Sequence, residues 1–160
     1  MITIEPPSSH FNPPVLPKAG LTRFLRRARE AVGLPGEVEV LLTSDAEIKR
    51  LNRDFRGKNK PTDVLSFPAP EEISEEHAGD LAISLDTAAR QASSFGHSLS
   101  EEVRVLMLHG LLHLKGMDHE TDSGQMAARE AELRSELKLP ATLIERVMRA
   151  PRKSVARRRA

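Results

Sequence analysis

The sequence predicts a single α/β (α+β) domain in which a mostly four-stranded mixed sheet packs with about five or six helices, judged from its hydrophobic periods. Three observations carry that expectation. Short stretches of alternating apolar residues recur between segments of helical period. The chain has 160 residues, enough for one hydrophobic core without disulfide or metal staples. One segment, residues 99–115, is apolar nearly all round, which suits a helix buried centrally against a sheet.

Taken in order, residues 1–4 form a short apolar start that reads as a first strand, followed by a Pro-rich loop through Pro17. Apolar residues at 21, 24, 25, 28 and 32 give a helix whose other side carries Arg23, Arg26, Arg27 and Arg29, and Gly33, Pro35 and Gly36 end it. Val38, Val40 and Leu42 alternate with Glu37, Glu39 and Leu41, as in a strand. Ser44 and Glu47 form a capping-box pattern that opens a second helix to about Asp54. Residues 56–61 read as a basic turn, residues 62–67 as a strand closed by Pro68, and residues 70–78 as an acidic loop. Leu81, Ile83 and Leu85 share one face of a fourth strand over residues 80–85. Asp86 then caps a helix to about Phe95, and Ser98 with Glu101 caps the apolar helix. Asp122 with Gln125 starts a helix to about Leu137, and Pro140 a shorter one to about Arg149. The tail beyond Pro151 has nothing to bury and is expected to be disordered.

The apolar helix carries the chemistry. His109, His113, Gly116 and His119 make the pattern H-x-x-x-H-x-x-G-x-x-H. A four-residue step stacks His109 and His113 on one face, close enough to chelate a single ion. Gly116 can take the left-handed conformation that stops a helix and turns the chain back, bringing His119 over the first two rings. Three neutral imidazoles with an open fourth position describe a catalytic rather than a structural zinc site. One Zn²⁺ per chain is expected, and such a site accepts Ni²⁺, Co²⁺ or Cu²⁺ as well.

Charge and composition narrow the partners. The net charge of +1 hides a segregation: residues 18–60 carry eleven Lys/Arg against six Asp/Glu, residues 61–150 eight against sixteen, and the last ten residues five against none. A basic first half and a basic tail suit a polyanion, while the acidic second half surrounds the histidines. The absence of cysteine excludes disulfides and thiolate ligands. No stretch approaches the roughly 18 apolar residues of a membrane span. The amino terminus lacks a basic region followed by an apolar run, so a soluble, cytoplasmic protein is expected. With five Phe and neither Trp nor Tyr, extensive base stacking is not expected, and phosphate and shape contacts should dominate.

The histidine spacing equals that of the metzincin proteases, with Gly110 where those enzymes carry the general-base Glu. Three blocks of sequence together resemble the YbeY family of bacterial metal-dependent endoribonucleases. They are the histidine segment 109–119, the run Leu-Asn-Arg-Asp-Phe-Arg-Gly-Lys-Asn-Lys-Pro-Thr-Asp-Val-Leu-Ser-Phe-Pro at 51–68, and Gly-Asp-Leu-Ala-Ile-Ser at 79–84. The likeness extends over about residues 1–138; Met117 stands where that family usually has Tyr, and the arginine-rich tail lies outside the shared core. The resemblance implies a compact α/β fold, zinc on His109, His113 and His119, and cleavage of single-stranded RNA. It further implies work in ribosomal RNA processing, notably at the 3′ end of the small-subunit RNA, and in ribosome quality control. The ribosome or its proteins would then be partners, with no membrane or DNA partner expected. Arg56 and His109 are the functional residues that it points to. Residues 1–150 would form the endoribonuclease domain and residues 151–160 a disordered basic tail.

The chemistry can be built without a glutamate base, because zinc lowers the pKa of a bound water to about 7. Arg56 would set a permanently charged, forked donor on the scissile phosphate. Attack by hydroxide and attack by the RNA 2′-hydroxyl both remain open. Asp118 and Asp80 are the carboxylates expected to orient the ligand imidazoles, with a turn cap as the other reading of Asp118. Ser66 and Thr62 are candidate polar contacts, and His97, His77 and His10 are read as surface residues. Two other classes remain: a non-catalytic, metal-stabilised factor binding RNA or the ribosome, and a zinc amidase or peptidase, which Gly110 disfavours.

Overall fold

The computed structural model describes residues 1–5 and 16–140. The helix expected from Pro140 to about Arg149, the basic tail, His10 and most of the Pro-rich loop lie outside the described residues. The described elements are β1 (Ile2–Ile4), α1 (Lys18–Val32), β2 (Glu37–Thr43), α2 (Asp45–Arg56), β3 (Val64–Pro68), β4 (His77–Ser84), α3 (Leu85–Phe95), α4 (Leu99–Leu114) and α5 (Gln125–Leu137). A single 3-10 turn, Glu71–Ile73, interrupts the acidic loop. No helix among these residues is long and apolar enough to cross a membrane.

The sheet has four strands in the order β1-β2-β4-β3, parallel at β1/β2 and β2/β4 and antiparallel at β3/β4. Alternation along each strand divides it into two faces. Val38, Val40 and Leu42 of β2 and Leu81 and Ile83 of β4 join the main core with Leu21, Phe24 and Leu25 of α1, Leu85 and Ala88 of α3, and the apolar residues of α4 and α5. The opposite face carries a small cluster in which Ile48 and Leu51 of α2 meet Leu65 and Phe67 of β3 and Ala82 of β4. So α1, α3, α4 and α5 cover one face, and α2 covers only part of the other. A shallow cavity of about 300 Å³ remains there, lined in part by Glu39, Leu41, Phe67 and Asp80.

The apolar stripe of α1 is buried at each position the sequence marks: Leu21, Phe24, Leu25, Ala28 and Val32. Ser44 and Ser98 both cap helix starts as expected, but only Ser98 with Glu101 closes a full box, because the Glu47 carboxylate is taken by Arg50. Ser44 Oγ accepts from the Glu47 amide at 3.2 Å. Ser98 and Glu101 cap each other's backbone, at 3.0 Å in both directions.

Several boundaries differ from expectation for physical reasons. β4 begins at His77 because the parallel ladder with β2 reaches back to Glu37. The strand ends at Ser84, so Ser84 and not Asp86 caps α3, its Oγ accepting from the Thr87 amide at 3.1 Å. β3 starts at Val64, because the Asp63 carboxylate turns back to accept from the Val64 amide at 2.8 Å. α2 runs on to Arg56, which makes Arg56 helical instead of part of a turn. α5 starts after Gly124, and Asp122 serves it from outside by accepting from the Met126 amide at 2.8 Å.

At the carboxyl ends of β2 and β4 two helix starts brace each other. The buried Asp86 carboxylate of α3's first turn accepts from the Asp45 amide at 2.9 Å. The Asp45 carboxylate in turn accepts from the hydroxyls of Ser84 and Thr87 and from Arg90. Burial raises the Asp45 pKa, and the hydrogen bonds from Ser84, Thr87 and Arg90 outweigh it, so the group lies below its ordinary 3.8. A depressed carboxyl stabilises the fold above its unfolded pKa and loses that contribution as pH falls through the folded value. Asp45→Asn is therefore expected to cost about 1 kcal/mol at neutral pH. The gap between variant and wild-type urea midpoints should close as pH falls below the ordinary 3.8 and through the depressed folded value. A gap that stayed constant over that range would show that the Asp45 charge contributes nothing.

Candidate metal centre

The three histidines converge at the carboxyl-terminal end of α4. Their ligand atoms all lie within 4.8 Å of one another, with His109 buried and His113 and His119 half-buried. The stacked pair brings His109 Nε2 to 3.2 Å from His113 Nε2. Tetrahedral zinc with Zn–N bonds of 2.0–2.1 Å leaves ligand nitrogens about 3.3 Å apart, so this edge fits the ion.

The third ring arrives as expected. Gly116 has φ +100°, and the Met117 amide returns to the Leu112 carbonyl at 3.1 Å, closing α4 and reversing the chain. Asp118 then organises the turn: its carboxylate accepts from the Glu120 amide at 3.0 Å and its carbonyl from the Thr121 and Asp122 amides. His119 Nδ1 is buried with no hydrogen-bond partner. A buried nitrogen left so costs about 1–3 kcal/mol, which a bound cation removes. The donor set and this unpartnered nitrogen fit a divalent transition metal.

The carboxylate that orients the first ligand is neither Asp118 nor Asp80. Glu130 of α5, fully buried, accepts from His109 Nδ1–H at 2.8 Å. That bond fixes the tautomer and leaves the Nε2 lone pair facing His113. Asp118 is held by its turn, and Asp80, with its exposed side chain 3.4 Å from His77, lies on the sheet face opposite α4. A sequence signal for Glu130 exists. Met126, Glu130, Leu133 and Leu137 are the buried stripe of α5, so a carboxylate occupies a core position. Burial lowers the His113 pKa first, and repulsion from His109 and His119 adds to it against the pull of Asp118 and Glu130. A lowered pKa keeps that imidazole neutral and able to bind metal at neutral pH.

Gly110 shows why no peptidase base stands next to His109. A Cβ there would sit 2.7 Å from Leu81 Cδ2 and 3.3 Å from Ser66 Oγ. Position 110 faces the sheet, and Ser66 Oγ donates to its carbonyl at 3.3 Å. A glutamate would be driven into β3 and β4, away from the histidines.

Comparison with known proteins agrees with this geometry. The family model described as Endoribonuclease YbeY matches residues 18–138. The chain belongs to the YbeY endoribonuclease family. A relative from Koribacter versatilis named Endoribonuclease YbeY is 55% identical over 139 residues, covering 87% of this chain and 90% of that protein. A second of that name, from Solibacter usitatus, is 50% identical over 135 residues, with 84% and 89% covered. A solution structure of a Thermotoga maritima protein aligns with TM-score 0.57 at 31% identity, covering 86% of this chain and 89% of that one.

Of the site residues expected from the YbeY resemblance, the three histidines are brought together. Arg56 is exposed at the end of α2. No hydrogen bond or ion pair links it to the histidines. Thr62 bonds only to the neighbouring Asp63, at 3.4 Å. His97 is not a surface residue: its side chain is 9% exposed and its Nε2 lies 2.5 Å from the buried Glu102 carboxylate.

His119→Ala is expected to remove most of the bound metal from protein purified without a polyhistidine tag, measured by elemental analysis. Glu130→Gln keeps an acceptor for His109 Nδ1–H but removes the charge. It should weaken metal affinity by about tenfold in competition with a chelator. Full stoichiometry in His119→Ala would show that the turn at Gly116 does not deliver a ligand.

Proposed function

We propose that the chain is a zinc-dependent endoribonuclease that cuts single-stranded RNA during ribosomal RNA maturation, including the 3′ end of the small-subunit RNA, and in ribosome quality control. The observation that supports it is the three-histidine cluster, with His109 oriented by a buried carboxylate, in a chain of the YbeY family. Such a substrate puts its work in the cytoplasm, with the ribosome or its proteins as partners.

His109, His113 and His119 would hold the ion, which when bound supplies Lewis-acid polarisation of a phosphoryl oxygen and a means of ionising water near neutral pH. The rest falls to the chain's own groups. Glu130 keeps His109 in the tautomer that presents Nε2, and takes up positive charge that spreads onto the ring. Arg56 has no ion pair among the described residues, so its fork is available for a phosphate of the RNA strand. Gly110 and Leu81 close the inner side of the cluster, so the strand enters from the half-buried side of His113 and His119.

Cleavage of a labelled single-stranded oligonucleotide by metal-loaded protein, lost in His113→Ala, is the direct test. Binding without any cleavage by the metal-loaded wild type would make the protein an assembly factor instead. Arg56→Ala is expected to lower cleavage by about a hundredfold with metal content and thermal melt unchanged. Arg56→Lys should recover only part, because an ammonium cannot make the two-pronged contact. Wild-type rates in both variants would remove Arg56 from the mechanism.

A further inference from the structure

Among the described residues the exposed large apolar side chains are Met1, Phe55, Ile73 and Phe95, and Phe55 is 67% exposed. Only Phe55 stands at the root of a basic turn. Its ring is not loose. It meets Phe67 edge to face, with centroids 5.5 Å apart and planes at 69°. Phe67 is packed against the Ile48, Leu65 and Ala82 cluster. The Phe55 ring is thus braced from beneath and left largely in solvent.

The neighbouring cations are unpaired. Arg50 and Arg53 are joined to Glu47 and Asp54, whereas no ion pair among the described residues engages Arg56, Lys58 or Lys60, all of them exposed. Their spacing is held by Asn52, which is 2% exposed. Its Nδ2 donates to the Lys60 carbonyl at 2.9 Å and its own carbonyl accepts from the Lys58 amide at 3.2 Å. The turn is pinned against the end of α2, so three exposed cations follow one exposed ring closely in the chain on a rigid support.

We propose that Phe55, braced by Phe67, is a stacking platform for one nucleobase of a single-stranded RNA, and that Arg56, Lys58 and Lys60 hold the phosphates on either side. This rests on the RNA-cleaving reading above. A nucleotide strand alternates a flat aromatic face with a negative charge, which is the alternation this surface complements; an apolar protein segment would leave the three cations unanswered. Stacking on Phe55 acts on affinity and KM, with kcat little changed, and the loss of cleavage expected of Arg56→Ala belongs to the phosphate that Arg56 holds.

The test uses metal-loaded, full-length protein and fluorescence anisotropy with three labelled oligomers of equal length: oligoadenylate, oligouridylate and an abasic ribose-phosphate strand. Wild type is expected to bind oligoadenylate about tenfold tighter than the abasic strand, the effect of stacking one base on an aromatic ring. Phe55→Leu should bring the two affinities together while leaving the salt dependence alone, since no charge is changed. Phe55→Tyr should keep the preference, which guards against a general disturbance of the turn. If wild type binds base-bearing and abasic strands alike, or Phe55→Leu keeps the full preference, the platform is overturned. These are binding measurements, so they stand apart from the ribonuclease reading, which fails if metal-loaded wild type binds the oligomers and cuts none.

Discussion

A carboxylate with no exposure must have a charged or hydrogen-bonding partner, because isolating it from water costs several kcal/mol. Glu130 has such a partner in His109, at 2.8 Å. That contact ties α5 to α4 and does two things together. It settles the charge in the core, and it decides which nitrogen of His109 points outward. Met126, Leu133 and Leu137 deliver Glu130 to the right height, so the orientation of a ligand is set by ordinary apolar packing one helix away. The geometry of the histidine cluster is then as rigid as the core itself.

The close approach of α4 to the sheet is the complementary constraint. Gly110 lets the helix backbone settle against Leu81 and Ser66, and the residues on either side, Val105 to His109 and Leu111 to Leu112, are all buried. A helix enclosed this far can show chemistry only where it ends. The open positions, His113 and His119, lie at that end, on either side of the Gly116 turn. The sheet divides its faces: the histidine cluster lies on the side of α4, and α2 packs on the other.

Most of this was legible in the sequence. The four strands, the buried helix, the serine caps of α2 and α4 and the three converging histidines follow from period, cap chemistry and spacing, which are local properties. What escaped depends on contacts between distant segments. Glu130 reads as one more acid on a charged helix unless its place in the stripe of Met126 and Leu133 is weighed. His97 reads as a loop residue because its partner, Glu102, is itself a carboxylate hidden in the core. Asp86 looks like a helix cap, but strand pairing fixes where β4 stops and hands that role to Ser84.

The two braced aspartates have a consequence for where this fold can take a ligand. β2 and β4 are parallel neighbours whose following helices, α2 and α3, leave to opposite faces. In open α/β sheets that divergence opens a crevice beyond the carboxyl ends of the strands, the customary seat of a nucleotide or phosphate. Here the carboxylates of Asp45 and Asp86 occupy it and engage the amide and hydroxyls that an incoming anion would need. The histidines sit toward the other pole, where Leu114 reaches Gly79 near the amino end of β4. The molecule has in effect reversed the usual polarity of its architecture, sealing the end where such sheets ordinarily bind and gathering its histidines toward the end where they ordinarily do not.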